Sequence, residues 1–232
     1  MMNWRSACLP RLFKKEWLIL SSRLSATVQL SRSIITEFMT DPSPPIAIQV
    51  PEGVEFTTAI SITQDLIQAA QSGLLAGDEL RQVIVALVST IEGARGFFVA
   101  YLTDEHPYAD SPDANLIAAL RQSPGWVTDL LVKNLAMSTA MALTHQRQDS
   151  PVQVTASRRV QQRTIHLIHH LKLPMIQEKL IELLRSLSTD GGSYTSFLQR
   201  WGYDQEQQEA IVQVVQSVLE THPSRFKDHG NG

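Results

Sequence analysis

Residues 134–146, NLAMSTAMALTHQ, carry no formal charge and little bulk, and they lie between Lys133 and Arg147. Together with residues 126–132 they read as one long helix whose middle is Ala136, Ser138, Thr139, Ala140 and Ala142. A surface helix shows an apolar stripe on one side and charge on the other. This segment shows neither. A helix uncharged on every side for three turns is enclosed by other helices, and small side chains let those neighbours approach closely. The sequence therefore predicts an all-α protein, a single bundle of about seven to nine helices around a small-residue central helix at 126–147.

The flanking sequence supplies the neighbours. Between Thr57 and Gln71, the residues Ile60, Ile62, Leu66, Ile67 and Ala70 keep mostly helical spacing, and Gly73 stops the pattern. Leu80, Val83, Ile84, Leu87, Val88 and Ile91 repeat at i, i+3, i+4, i+7 behind Asp78, which the pattern casts as a cap. Two continuations are open beyond it. One helix runs through Gly93 and Gly96 to Leu102, or the chain breaks at Gly93 before a short element at Phe97–Leu102. Ser111-Pro112-Asp113 and Ser123-Pro124 each pair a capping hydroxyl with proline at the first helical position. They open a short helix to Gln122 and then the central helix. After a loop at 148–155 comes a helix to Leu171, closed by Pro174, then helices at Met175–Leu187 and Tyr194–Trp201. Asp204 with Gln207 makes a capping box for the last helix, with Ile211, Val214, Val215, Val218 and Leu219 facing inward. No pair of strand-like runs is joined by hairpin chemistry.

The domain plan follows from composition. Residues 1–38 form a basic, Ser/Arg-rich leader, 39–55 a Pro-rich linker, 56–221 the helical domain and 222–232 a tail. The leader holds six Lys/Arg against Glu16 and Glu37, a formal +4, so the chain's net −3 leaves −7 for the remainder. A body this acidic has no global attraction for nucleic acid. The leader has the composition of an organellar transit segment, and Met39 reads equally well as a start that would make residues 1–38 an upstream extension. The only cysteine, Cys8, excludes a disulfide within the chain and a Cys-based zinc site. The expected compartment is the cytoplasm, with an organelle as the alternative if residues 1–38 act as a transit segment. No stretch has the unbroken apolar length of a membrane span; the nearest, Val83 to Leu102, is interrupted by Glu92 and Arg95. Residues 1–38 could also make peripheral membrane contact, and a homo-oligomer is compatible with the pattern.

No nucleotide-binding, zinc-protease or nucleophile-elbow motif is present, and the sequence gives no catalytic residue, metal site or cofactor. His166, His169 and His170 share a helical face, which first suggests a metal. Arg159 and Arg163 fall on the same face, opposite Val160, Leu167, Ile168 and Leu171, and cations repel a metal and disfavour imidazole protonation. Arg159, Arg163, His166 and His170, at i, i+4, i+7, i+11 with Arg158 beside them, make a basic strip instead. The expectation is a non-enzymatic helical interaction protein, an assembly factor, adaptor or regulator, that docks an acidic or phosphate-bearing partner on this strip. The alternative is a small-ligand-binding protein or enzyme that uses the polar side of the central helix, Asn134, Ser138, Met141 and His145.

Overall fold

Proline and a few capping side chains decide where the helices begin. The computed structural model describes residues 48–189 and 191–221. The leader, residues 39–47 of the linker and the tail lie outside the described residues. The helices are α1 (Phe56–Gln71), α2 (Gly77–Val88), α3 (Ile91–Thr103), α4 (Ala114–Leu120), α5 (Pro124–Arg147), α6 (Pro151–Leu171), α7 (Pro174–Ser188), α8 (Thr195–Trp201) and α9 (Gln205–Thr221). A 3₁₀ turn, Pro107–Asp110, stands between α3 and α4. Among the described residues there are nine α-helices and no strand, so the protein is an all-α bundle.

Prolines at the first helical turn open α5, α6 and α7, where the missing N–H costs nothing. This corrects the loop expected at 148–155: Pro151 starts α6, and only residues 148–150 connect it to α5. Pro174 likewise opens α7, two residues past the left-handed Lys172 (φ 50°) that ends α6. The capping box of α9 forms as expected: Gln207 N–H donates to Asp204 Oδ1 at 3.0 Å, and Asp204 N–H donates to Gln207 Oε1 at 3.0 Å. Two other caps fall elsewhere. Asp78 lies inside the first turn of α2 and pairs with Arg81 at 2.9 Å. α4 is capped by Asp113 rather than Ser111, its carboxylate accepting from Asn115 N–H at 2.7 Å and Leu116 N–H at 2.9 Å.

The segment at 78–102 is two helices, but the break precedes the glycines. It falls at Ser89–Thr90, where the Thr90 hydroxyl accepts from Gly93 N–H at 3.1 Å and starts α3. Gly93 and Gly96 are both buried inside α3. A Cβ at Gly96 would lie 2.6 Å from both Ala59 Cβ and Phe56 O, so this glycine sets how closely α1 can lie on α3. α2 packs on α3 and α4, completing the first layer of the core.

α5 is the central helix that its composition predicted. It packs against α3, α6, α7 and α9, and Leu135, Ala136, Ser138, Thr139 and Ala140 are buried among them. Small side chains there keep volume low where several helices converge. Its charges stay at the ends: Lys133 holds Asp129 at 2.6 Å, and Arg147 reaches the start of α9.

Two consequences are measurable. Gly96→Ala should destabilise the fold by about 1–3 kcal/mol in urea unfolding, the usual cost of overpacking; unchanged stability would show that α1 and α3 are not in that contact. The second concerns the start of α9. Arg147 bonds to Asp204 at 2.5 Å and also holds Glu206. This guanidinium, followed by the Gln207 amide N–H, keeps the Asp204 carboxyl below its ordinary range. A lowered folded pKa gives stability that is present above the unfolded value and lost as pH falls through the folded one. Amide protection of residues 205–208 should therefore hold at about pH 5 and decline progressively below about pH 4. Protection unchanged in acid would separate this cap from the carboxylate.

Candidate functional site

α6 presents two faces. Ser157, Val160, Thr164, Leu167, Ile168 and Leu171 are buried against the bundle. Arg158, Gln162, His166 and His170 are exposed, and Arg159 is half-buried. Arg163 is the exception to the basic strip. Its side chain is 2% exposed, and every donor nitrogen is occupied. Nε donates to Asp110 Oδ1 at 2.7 Å, and Nη2 donates to His106 O at 2.9 Å. Nη1 donates to Asp104 O at 2.6 Å and Leu102 O at 3.1 Å, with Tyr101 O at 3.5 Å.

The local reason is the end of α3. A helix leaves its last carbonyls without intrahelical donors, and a guanidinium offers five N–H groups in a fixed fork. Arg163 sits at the edge of the polar face, where α6 meets that helix end. It is therefore part of the interior rather than of an exposed docking strip. What remains on the surface is Arg158, Arg159, His166 and His170.

Two further contacts shape this face. His166 Nδ1 lies 3.2 Å from Asp110 O, and His170 Nδ1 lies 2.8 Å from His166 O. From the C-cap of α4, Arg121 donates through Nε to Leu171 O at 3.0 Å and through Nη2 to His170 O at 3.1 Å. A cation at a helix C-terminus is favourable on two grounds: it satisfies orphan carbonyls and complements the helix dipole. Arg121 thus extends the basic surface beyond His170. Sequence reasoning missed it, because the helix end it serves lies 50 residues along the chain and no local pattern joins them. His169 turns elsewhere, its Nε2 3.1 Å from Thr221 Oγ1 at the end of α9.

Arg81, Arg95, Lys133, Arg147 and Lys179 each hold a carboxylate. Among the described residues Arg121, Arg158, Arg159, Lys172, Arg185 and Arg200 form no ion pair, and Arg158 and Arg159 are consecutive in the chain. Beside α6, residues 104–113 bring Asp104, Glu105, Asp110 and Asp113 together. Tyr108 OH donates to Asp113 Oδ2 at 3.3 Å, and burial, followed by the Asp113 charge, raises its phenol pKa. Burial also raises that of Tyr101, which stacks on Phe97 and meets Tyr108 edge-on. Both phenols stay protonated and serve as packing groups at neutral pH.

The polar side of α5 is brought together, but inside the bundle. Ser138, Met141 and His145 are buried and Asn134 is half-buried. Ser138 Oγ donates to Asn134 O at 2.7 Å, and Thr139 Oγ1 donates to Leu135 O at 2.7 Å. Gln161 of α6 donates to Thr139 Oγ1 at 2.7 Å, and Gln207 of α9 donates to Thr144 Oγ1 at 2.8 Å. These groups bond their own helix and its neighbours. A cavity of about 390 Å³ opens elsewhere, at Gly53, Val54, Phe56, Thr90, Ile91 and Glu92, without a nucleophile–base pair. Among the described residues no three His, Cys, Asp or Glu side chains gather as a metal-binding group. None of the described helices is long and apolar enough to cross a membrane.

The family model described as Uncharacterised conserved protein UCP020893 matches residues 55–218, from the cap of α1 to the last turn of α9. The match includes α6 and all of its exposed basic face. No curated protein and no solved structure matches the chain.

Arg163 gives this region its clearest test. Arg163→Ala would leave several buried carbonyls without their donor, and it should cost about 3 kcal/mol in chemical unfolding. Hydrogen exchange should rise first in residues 101–110. A stability change within about 0.5 kcal/mol would show that water replaces the guanidinium without penalty.

Proposed function

We propose that this chain, which belongs to that family of uncharacterised conserved proteins, is a non-enzymatic helical interaction protein. It works as an assembly factor, adaptor or regulator, docking an acidic or phosphate-bearing partner on Arg158, Arg159, His166 and His170 of α6, with Arg121 at the edge. The observation behind this reading is the unpaired arginine couple. Among the described residues six other cations hold a carboxylate, whereas the consecutive Arg158 and Arg159 stand on an outward helix face and form no ion pair. Such a patch steers an acidic partner and fixes its register more than it stabilises the fold. Arg163 leaves the docking set because its donors are spent inside. The single cysteine, Cys8, supports a reducing compartment such as the cytoplasm.

Arg158→Ala combined with Arg159→Ala tests the reading. Helicity and melting temperature should stay as in the wild type, since neither side chain has a hydrogen bond or ion pair among the described residues. Binding of a labelled hexaglutamate peptide, followed by fluorescence anisotropy at low salt, should weaken by about tenfold or more, equivalent to about 1.4 kcal/mol. Equal affinity would make this face a solvated surface and nothing further.

A further inference from the structure

The segment between α3 and α4 has the composition that the α6 face would recognise. Residues 104–113 hold Asp104, Glu105, Asp110 and Asp113 and contain no Lys or Arg. The segment crosses α6 in the middle of the basic strip. Arg163 takes the Asp104 and His106 carbonyls and the Asp110 carboxylate, and His166 Nδ1 lies 3.2 Å from Asp110 O. Arg159 stands one turn before Arg163, and His170 one turn after His166. The two ends of the strip flank the segment, which lies across its centre.

We propose that residues 104–110 are a strap, an acidic segment of the chain itself seated where part of an outside acidic segment would bind, so that partner binding and strap release compete. This rests on the docking reading of α6 and adds its regulation. The strap is fastened unevenly. Its root is held by Arg163 through the Leu102, Asp104 and His106 carbonyls, inside the bundle. Its tip, Pro107–Asp110, carries one charged fastening, Asp110, whose side chain is 52% exposed, beside the buried Ala109 and the Tyr108 ring packed on Tyr101. An ion pair with one half-exposed partner is weaker than a fully buried one, because water competes for the carboxylate. Exchange of the Asp110 carboxylate for an outside one is therefore the step that opens the tip, with Ala109 and Tyr108 unpacking as it lifts while Arg163 stays seated on the carbonyls at its root. Lifting frees His166 Nδ1 and the Nε–H of Arg163, two donors continuous with Arg159 and His170. An incoming acidic segment would take over the contacts that Asp110 gives up, and this exchange makes the two states competitors.

Asp110→Ala removes the tip's charged fastening and leaves the root intact. The probe is a fluorescein-labelled synthetic peptide of residues 103–113, and hydrogen exchange reads the strap directly. Exchange at residues 106–110 should rise in the variant without peptide. The peptide should bind the variant about tenfold more tightly than the wild type, and adding Arg158→Ala and Arg159→Ala should cancel that gain. A strap tip as protected as in the wild type overturns the proposal, and so does an opened tip with no gain in peptide affinity. If Asp110→Ala loses its helical signal, Asp110→Asn, which keeps the Oδ1 acceptor and removes the charge, is read against the same outcomes. Peptide binding that is equal in wild type and variant, yet lost on removing Arg158 and Arg159, refutes the strap alone. Peptide binding indifferent to both arginines refutes the docking surface itself.

Discussion

A guanidinium can be buried only where acceptors meet its five N–H groups, and in this protein that requirement joins one half of the bundle to the other. Arg163 belongs to α6, while its acceptors lie 53–62 residues earlier, at the end of α3 and in the segment that follows. Satisfying the carbonyls fixes the register of α6 against α3 and the path of residues 104–106. The same closure packs Tyr101 on Phe97 and against Tyr108. A buried charge seldom stabilises a fold more than an apolar packing of equal volume would. Here most of the acceptors are helix-end carbonyls that need a donor in any case, so the arrangement meets two obligations at once.

The bundle was legible in the sequence because α5 reports its surroundings through composition. Ala136, Ser138, Thr139 and Ala140 could only be enclosed, and they are. The α9 capping box was legible for a similar reason, since Asp204 and Gln207 need only each other. Arg163 was not legible. A helical wheel gives the direction in which a Cβ leaves its helix, and by that measure Arg163 keeps company with Arg159, His166 and His170. What covers it comes from a distant part of the chain, and nothing in residues 151–171 announces that. The glycines of α3 failed in the opposite sense. Gly93 and Gly96 look like breaks when only α3 is considered, yet Ala59 and Phe56 of α1 make Gly96 a contact residue.

The polar residues of α5 show why a polar helix side does not by itself define a pocket. A hydroxyl on a buried helix can bond to the carbonyl one turn back, and Ser138 and Thr139 both do so. That uses each donor without opening space for a ligand. Thr139 and Thr144 retain acceptor capacity, which Gln161 and Gln207 fill from α6 and α9. The result is a helix interface with specific polar pairings. It orients three helices about one axis, where apolar contacts alone would permit sliding.

That orientation bears on the docking role proposed for α6. Its inner face is keyed to α5 through Gln161, its middle to the end of α3 through Arg163, and its C-terminal carbonyls to α4 through Arg121. A helix held at three levels from three sides has little freedom to lose when its outer face is engaged. Preorganisation of this kind matters most for a small charged patch, where the gain per contact is modest and ordering costs can cancel it. Arg158 and Arg159 need restrict only their own side chains, because the backbone beneath them is already fixed. Charge placed on a rigid helix above a satisfied interior can therefore recognise a partner that the same charge on a loop would hold poorly.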